Sequence, residues 1–385
     1  MRIGVIGLGQ RLGHLVAEFA AVAPEARFVA VADPSDVRLA QLEQKGITFE
    51  TRHEDGAALI AAHEFDLLMI GSPNMMHLEH LRAALQSNAP AIFTEKPVVI
   101  SMEETLELAR LIGTHDGVKR LMPGMVLRYS PLYRALRAAQ AEHLGPISSI
   151  EASEHIAPYH GSFFMRDWRR ETKLSGGFLL EKCCHDIDLY QGVVGSRPAR
   201  VVSFGGRKKY LPENRPAGEP AYLSEMAPRW GGTNDAFSGT ADIIDYQTAL
   251  IEYQGGESMA FHTNLNVPDE FRRFCVIGRD GMAEGDFLRN YFKVTLSDDG
   301  KAVIDEKEVA TDTSGGHYGA DSAMARDITN HLRGDLPQLP LSIIDALEAG
   351  VTALAADASR TENRIVELAE YWDAFDHALA GEVAA

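Results

Sequence analysis

The sequence is poor in cysteine, and this shortage excludes a protein that is stabilised by a framework of disulfides. Its 385 residues include three cysteines, Cys183, Cys184 and Cys275. Adjacent cysteines rarely bridge each other and three cannot make a disulfide framework, so we expect a reducing compartment, the cytoplasm. The opening segment "MRIGVIGLGQRLGH" is interrupted by Arg11 and His14. It lacks the apolar run of a signal peptide, and we expect none.

Blocks of positive charge and long apolar runs are also missing. The chain carries 37 Lys and Arg against 55 Asp and Glu, a formal net charge of −18. Because like charges repel, we expect neither nucleic acid nor an anionic membrane as a partner. No stretch approaches the roughly 18 apolar residues that a membrane helix needs. The length exceeds the roughly 250–300 residues at which single cores stop growing, so we expect two domains.

The first part of the chain alternates apolar strands with helical patterns. The expected strands, each followed by polar, glycine or proline residues, are 2–7, 27–34, 65–73 and 90–97. The helical patterns are a segment ending near Val22, 54–63 and 75–87. This alternation predicts a parallel sheet with helices on both faces, which is an α/β Rossmann domain. Ligands of such sheets bind at the carboxyl ends of the strands.

After about residue 125 the pattern changes to alternating strands joined by GG-, DG- and DDG-type turns. These segments are 147–156, 200–211, 240–267, 272–287 and 291–309. They predict an α+β domain with a large, mainly antiparallel sheet. A Pro/Gly-rich loop is expected at 212–235, and helices are expected at 341–358 and 365–379. We therefore predict a dinucleotide-binding domain at 1–122 and an α+β domain at 123–385.

A glycine turn follows the first strand. Gly7, Gly9 and Gly13 have the spacing G-x-G-x-x-x-G, with Leu12 at the strict third position. Such a turn lets the backbone approach a pyrophosphate at a helix N-terminus, although an ordinary strand-to-helix turn is the alternative. Asp33 comes 20 residues after Gly13. A carboxylate there can bind both ribose hydroxyls and repel a 2′-phosphate, which favours NAD, while the nearby Arg38 keeps NADP possible.

The segment "GGFLLEKCCHDIDLY" (176–190) concentrates reactive side chains. On a helix, Glu181, Cys184, His185 and Asp188 fall on one stripe. A metal site would need a further ligand that no companion His/Cys pair supplies, so we expect no metal. A redox pair would need C-x-x-C rather than adjacent cysteines. From the residues alone, a catalytic acid–base cluster and a polar helix with a satisfied histidine both remain open.

Five motifs occur in an order that resembles the glucose–fructose oxidoreductase/inositol dehydrogenase (Gfo/Idh/MocA) family over essentially the whole chain. They are the glycine turn near residue 7, "SPNMMH" (72–77), "EKP" (95–97), "RYSP" (128–131) and "GG…E…H..D" (176–188). The resemblance implies an NAD(P)-dependent dehydrogenase acting on CH–OH groups, which transfers hydride between the nicotinamide and a secondary hydroxyl of a sugar, polyol or related small molecule. It also implies that 123–385 is a substrate-binding and oligomerisation domain, with an open-faced sheet through which subunits pair as a homodimer or homotetramer.

The same resemblance implies a catalytic set. Lys96 matches the family lysine and His185 the family histidine, while Glu181 stands where the family has an aspartate one methylene shorter. These groups surround the reacting hydroxyl in the family. An imidazole, with an ordinary pKa of about 6.5, is suited to remove the hydroxyl proton, and an ammonium can stabilise the developing charge on oxygen.

Further positions are expected to line the two ligand sites. Coenzyme contacts are expected from Gly7, Leu8, Gly9, Gln10, Arg11, Leu12, Asp33, Ser72, Pro73, Asn74, His77, Glu95 and Lys96. Substrate contacts are expected from Lys96, Arg128, Tyr159, Trp168, Arg169, His185, His317 and Tyr318. Structural roles compete with these, such as Asn74 serving as a helix N-cap. His317 and Tyr318 lie in the glycine-rich segment "GGHYGAD" (315–321).

Two other functions remain open at the level of sequence. One is an NAD-dependent glycosidase that works by transient oxidation and elimination. The other is a non-catalytic, nucleotide-sensing regulator. The presence of both Lys96 and His185 counts against the regulator, because family members of that type tend to lose one of them.

Overall fold

A computed structural model describes residues 1–218, 220, 235–310 and 317–381. Most of the predicted loop at 212–235 therefore lies outside the described residues, as do Gly315 and Gly316. The chain forms two compact units, and both are discontinuous. The first comprises Met1–Tyr129, Ser314–Leu347 and Glu370–Ala385, and the second comprises Ser130–Thr313 and Glu348–Ala369. The predicted division at residue 122 follows chain order, whereas these units also draw on segments from the last third of the chain.

The first unit contains the predicted parallel sheet. Its six strands are β1 (Arg2–Ile6), β2 (Arg27–Ala32), β3 (Phe49–His53), β4 (Leu67–Ile70), β5 (Ile92–Thr94) and β6 (Leu121–Pro123). Their order is β3-β2-β1-β4-β5-β6, and neighbouring strands run parallel. This is the order of the Rossmann fold, in which the crevice outside β1 and β4 is the place for a ligand.

Two of the helices that accompany this sheet begin at a side-chain N-cap. The helices are α1 (Gln10–Val22), α2 (Val37–Glu43), α3 (Gly56–Ala62), α4 (His77–Gln86), α5 (Met102–Thr114) and α6 (Gly117–Arg120). The Asp55 carboxylate accepts a hydrogen bond from the Ala58 N–H at the start of α3, 2.8 Å. The Ser101 hydroxyl accepts one from the Glu104 N–H at the start of α5, 3.1 Å. Both are N-caps that satisfy free helix donors.

The second unit is built on a nine-stranded sheet. Its strands are β7 (Ile147–His155), β8 (Pro198–Gly206), β9 (Tyr246–Tyr253), β10 (Ser258–Asn264), β11 (Phe271–Gly278), β12 (Gly281–Asp286), β13 (Tyr291–Leu296), β14 (Ala302–Glu306) and β15 (Val366–Glu367). The order is β14-β13-β12-β11-β7-β10-β9-β8-β15. β7 and β10 pair in parallel and the remaining neighbours are antiparallel, which confirms a mainly antiparallel sheet.

The remaining helices follow in chain order. They are α7 (Pro131–Ala139), α8 (Pro158–Phe164), α9 (Thr172–Ser175), α10 (Phe178–Val194), α11 (Ala320–Arg333), α12 (Ile343–Glu362) and α13 (Ala369–Leu379). Helix α11 belongs to the first unit and packs against α1. Helix α10 belongs to the second unit and packs against β7. Within the described chain, no helix is both long and apolar enough to cross a bilayer.

Several predicted boundaries were wrong, and contacts in the structure explain two of them. The helix expected at 365–379 begins at Ala369, because Val366–Glu367 pairs with β8 as an edge strand. The strand expected at 200–211 ends at Gly206. Beyond it, the N–H groups of Lys208, Lys209 and Tyr210 donate to the Asp245 carboxylate at 2.6–3.0 Å. A carboxylate that collects several backbone donors removes them from the strand ladder.

Candidate coenzyme and catalytic site

The glycine turn between β1 and α1 is sterically required. Gly7 has φ +79°, and a Cβ there would lie 2.4 Å from the Ser72 nitrogen. Gly9 is the N-cap residue of α1, so the helix begins directly after the turn. A Cβ at Gly13 would lie 2.5 Å from Cγ of Arg38. The turn therefore permits the close backbone approach that a dinucleotide phosphate needs.

Asp33 directly follows β2 and ties the glycine turn to the end of that strand. Its Oδ2 accepts the Leu8 N–H at 2.6 Å, and its Oδ1 accepts the Ser35 N–H at 2.7 Å. A carboxylate oxygen can accept more than one hydrogen bond, so both oxygens can also take a ribose hydroxyl. The glycine turn and this acid together fit NAD.

The turn after β4 is held by a buried histidine. Both ring nitrogens of His77 lie against main-chain oxygens, Nε2 at 2.8 Å from Ser72 and Nδ1 at 2.8 Å from Pro97. His77 is 1% exposed. Its side chain thus links this turn to the one that carries Lys96. Asn74 is the first residue of the short helical turn Asn74–Met76, one position after the N-cap residue Pro73.

The lysine turn follows β5, and its Lys96–Pro97 peptide is cis. Next to it, Glu95 is 5% exposed, and its Oε1 lies 3.0 Å from Nε of Arg11. Arg11 also reaches Asp321, with Nη1 2.6 Å from Oδ1. Asp321 was not among the predicted site residues. The available signal was its position four residues after His317, at the start of a helix.

Asp321 is the centre of a charged cluster in the first unit. Its Oδ2 lies 3.0 Å from Nδ1 of His317 and 3.3 Å from Nε2 of His14. Burial raises the pKa of Asp321, but hydrogen bonds from His14 and His317 and the charge of Arg11 outweigh burial and hold that pKa well below its usual range. His317, expected to contact substrate, and Arg11, expected to contact coenzyme, thus meet at one carboxylate.

Two other predicted substrate residues lie in the first unit. Arg128 is 6% exposed, and its Nη2 is 3.6 Å from Oδ1 of Asp345. Tyr318 adopts a positive φ of +55° directly before Gly319, the N-cap of α11. Neither position by itself identifies a ligand.

In the second unit, Gly176 and Gly177 lead into α10. Both have positive φ, and a Cβ at Gly177 would lie 2.4 Å from Oδ2 of Asp357. Along the helix, Glu181 is 6% and His185 is 4% exposed. The stripe is thus removed from bulk water, and charged side chains are rarely buried without a partner or a function.

Arg169 connects the predicted pocket residues to Glu181. Its guanidinium carbon lies 4.3 Å from the ring centres of both Phe163 and Trp168. Its Nε is 3.4 Å from Oε1 of Glu181. The aromatic contacts hold the guanidinium plane, which points its charge at the carboxylate one helical turn before His185.

Tyr159 is fixed differently. Its hydroxyl donates to Oε2 of Glu270 at 3.0 Å, and Oε1 of Glu270 accepts the Ala157 N–H at 2.7 Å. Burial and the neighbouring Glu270 charge raise the pKa of Tyr159 to about 12. Tyr159 remains 47% exposed. It can therefore offer a ring face or a neutral hydroxyl to a ligand.

A second cluster of buried charged side chains, in the second unit, was not predicted from the sequence. Arg272 makes two hydrogen bonds to Asp186 and lies 2.9 Å from Oε2 of Glu154. Lys182 reaches the other Glu154 oxygen, also at 2.9 Å. Burial raises the pKa of Glu154, but Arg272 and Lys182 outweigh it and the pKa is lowered. Two acids and two bases thus join α10 to β7 and β11.

No group of three or more His, Cys, Asp and Glu side chains in the described part of the chain is arranged to hold a metal ion.

The parallel sheet, the glycine turn and the acid after β2 define an NAD-binding oxidoreductase domain. The model of the oxidoreductase family's NAD-binding Rossmann fold matches residues 1–122, and the model of its C-terminal alpha/beta domain matches residues 139–368. The chain therefore belongs to the Gfo/Idh/MocA oxidoreductase family, and its coenzyme is of the NAD class.

Named relatives are distant in sequence. The protein YteT of Bacillus subtilis (strain 168), whose name gives only the class oxidoreductase, is 22% identical over 75% of this chain and 77% of its own. The scyllo-inositol 2-dehydrogenase (NAD(+)) of the same organism is 27% identical over 55% of this chain and 58% of its own. With the latter relative, the match spans little more than half of either protein.

Solved structures share the fold over nearly the whole chain. A levoglucosan dehydrogenase in complex with NADH and levoglucosan has a TM-score of 0.76 at 17% identity, covering 96% of this chain and 99% of that one. An oxidoreductase from Agrobacterium radiobacter in complex with NAD+, L-tartaric acid and magnesium has a TM-score of 0.74 at 18% identity, with the same coverage. Identities this low show the fold alone.

Proposed function

We propose that the protein is an NAD-dependent dehydrogenase that oxidises a secondary hydroxyl of a sugar, polyol or related small molecule, or reduces the corresponding ketone. The observation that carries the proposal is the pair Glu181 and His185, buried one turn apart on α10 with Arg169 against the carboxylate. Membership of an NAD-binding oxidoreductase family, together with Lys96 in its expected turn, supports the same reaction.

NAD, when bound, supplies the hydride acceptor. The chain's own residues handle the proton and the charge on oxygen. In the proposed reaction, His185 accepts the hydroxyl proton, a task that suits an imidazole near neutral pH. Lys96 donates a hydrogen bond to the same oxygen and stabilises the negative charge that develops there. Glu181, paired with Arg169 at 3.4 Å, keeps a carboxylate next to the imidazolium that forms.

Two features support a polyhydroxylated substrate. Trp168 and Phe163 place aromatic rings beside the Arg169 donors, a combination that suits the faces and hydroxyls of a sugar ring. The names of the similar proteins also point this way, since one acts on scyllo-inositol and another is a levoglucosan dehydrogenase. The substrate class in the proposal rests on these two arguments.

A substrate panel tests the proposal. Polyols, aldoses and anhydrosugars are each incubated with NAD+ or NADP+, and the absorbance of the reduced nicotinamide is followed. We expect net reduction with NAD+. Product release without net NADH would instead favour the eliminating glycosidase, and NAD binding without any turnover would favour the regulator.

Variants then assign the residues. Lys96→Ala and His185→Ala are each expected to lower kcat by about 10²–10⁴-fold while NADH still binds, because each removes a group that acts on the reacting oxygen. The exposed Lys119 and His377 provide the matched controls Lys119→Ala and His377→Ala. Near-wild-type turnover in either site variant would refute its assignment.

A further inference from the structure

We propose that the Arg11 side chain is a positioning residue for Lys96, acting through Glu95, and that it does not bind the coenzyme pyrophosphate. The inference rests on the proposed function, in which Lys96 contacts the reacting oxygen. Arg11 is the second residue of α1, where an arginine is ordinarily expected to face a phosphate. Its guanidinium is instead engaged by two carboxylates, those of Glu95 and Asp321.

The first step of the argument is the fixed position of Glu95. Its N–H donates to the Ile70 carbonyl at 2.8 Å, and its Oε2 accepts the main-chain N–H of Lys96 at 3.2 Å. A Cβ at Gly124 would lie 3.2 Å from the same Oε2. The carboxylate therefore sits in a slot with little spare room, and Arg11 binds its other oxygen.

The second step is the anchoring of Arg11 itself. Asp321 receives Arg11 on Oδ1, while His317 and His14 contact Oδ2. Asp321 and His317 come from the segment that starts α11, whereas Arg11 and His14 come from α1. The guanidinium on α1 is thus held by a carboxylate on α11, and that carboxylate is itself held by His14 and His317.

The third step is electrostatic. Glu95 and Asp321 are 5% and 6% exposed, and one guanidinium lies between them. Without it, Asp321 would keep His14 and His317, but Glu95 would lose this cation while buried, which is strongly unfavourable. The Glu95 carboxylate would then move. Because Lys96 is the next residue, its ammonium would move with it, and a displacement of about 1 Å can cost about 100-fold in rate.

The coenzyme keeps a different binding surface. The first turn of α1, whose N-cap residue Gly9 provides no side-chain cap, offers backbone N–H donors to a pyrophosphate without the Arg11 side chain. The guanidinium charge is already balanced by two carboxylates. The structure thus separates the backbone of Arg11, which can bind coenzyme, from its side chain, which holds the lysine turn.

The test is a double-mutant cycle with Arg11→Met, Glu95→Gln and the double variant. NADH affinity is measured by fluorescence titration and kcat by turnover. We expect each single variant to lower kcat at least about tenfold. The kcat of the double variant should be no lower than that of the less active single variant. The affinity for NADH should stay within about threefold of wild type in all three variants. Arg11→Lys should recover part of kcat. Arg27→Met, which removes an exposed Arg–Glu pair in the same unit, is the matched control.

Two outcomes would overturn the inference: NADH affinity at least about tenfold weaker in Arg11→Met but not in Glu95→Gln, or losses in kcat that multiply in the double variant. If the wild type turns over no substrate, the proposed function fails but the inference is still decided. The rate at which acetic anhydride modifies Lys96 in the NADH complex, read by peptide mass spectrometry, should then change equally in both single variants. Unequal changes would refute the coupling of Arg11 to Lys96.

Discussion

Arg272 and Asp186 form a two-bonded ion pair inside the second unit, with Nε–Oδ1 at 2.7 Å and Nη2–Oδ2 at 2.8 Å. Arg272 is 2% exposed and Asp186 is fully buried. Asp186 directly follows His185, so the pair fixes the helix that carries the proposed general base. A buried pair of this kind specifies one arrangement of helix and sheet more than it adds stability.

Arg272→Met is therefore expected to destabilise the protein by about 3–5 kcal/mol, because it leaves Asp186 and Glu154 buried with one cation fewer. Urea unfolding followed by circular dichroism measures the change. The control is Arg279→Met, which removes an exposed pair with Asp280 and should leave the unfolding midpoint unchanged. An Arg272 variant as stable as the control would show that the cluster carries no structural constraint.

Asp33 is expected to decide the preference for NAD over NADP. Asp33→Ser keeps a small oxygen acceptor near Leu8 but removes the charge that repels a 2′-phosphate. We expect NADH affinity to fall about tenfold and the ratio of NADPH to NADH affinity to rise. Fluorescence titration with both coenzymes gives the ratio, and Asp36→Ser, at an exposed acid three residues away, is the control. An unchanged ratio would contradict this assignment.

His155 is expected to make stability depend on pH. Burial, and then the neighbouring His262, lower the pKa of His155 to about 4. The unfolded chain, with an ordinary value near 6.5, therefore binds more protons between these values, and stability falls as pH drops through that window. Allowing for partial solvent access, we expect a loss of about 1–2 kcal/mol between pH 7 and 4.5 that His155→Gln abolishes. If the free energy of unfolding falls equally with pH in the wild type and in His155→Gln, His155 is not the group responsible.

Phe204 and Leu250, on the adjacent strands β8 and β9, are 71% and 53% exposed on one face of the large sheet. A homo-oligomer paired through this face would bury them, since exposed apolar patches mark interaction sites. We expect a dimer or tetramer by light scattering, and a smaller species for Phe204→Glu. Val118→Glu, at an exposed apolar residue in the first unit, should leave the mass unchanged. A monomeric wild type would end this proposal.

Periodicity predicted the elements that are strongly amphipathic or buried. Strands such as β1, β4 and β9 carry continuous or alternating apolar residues, and helices such as α3 lie between clear signals. Strand β3, "FETRH", was not predicted, because it lies at the sheet edge, where polar residues are tolerated. Strand β15 was not predicted either, because it is two residues long and is defined by its pairing with β8.

Charged side chains showed where sequence reasoning reaches its limit. Arg11 was expected to contact the coenzyme, whereas its carboxylate partners come from positions 84 and 310 residues further along the chain. Asp186 was passed over beside His185, although it is the more deeply buried of the two. The ion-pair partners of Arg11 and Asp186 cannot be predicted from local spacing, because these pairs form between residues that only folding brings together.

The order of the elements, the glycine turn and the residues that match the family motifs could all be read from the sequence, since they depend on local geometry and on short spacings. The partners of the buried arginines became known only from the folded chain: Glu95 and Asp321 for Arg11, Asp186 and Glu154 for Arg272. Burying a charge is costly unless an opposite charge is within reach, and that distance depends on the packing of elements far apart in the chain.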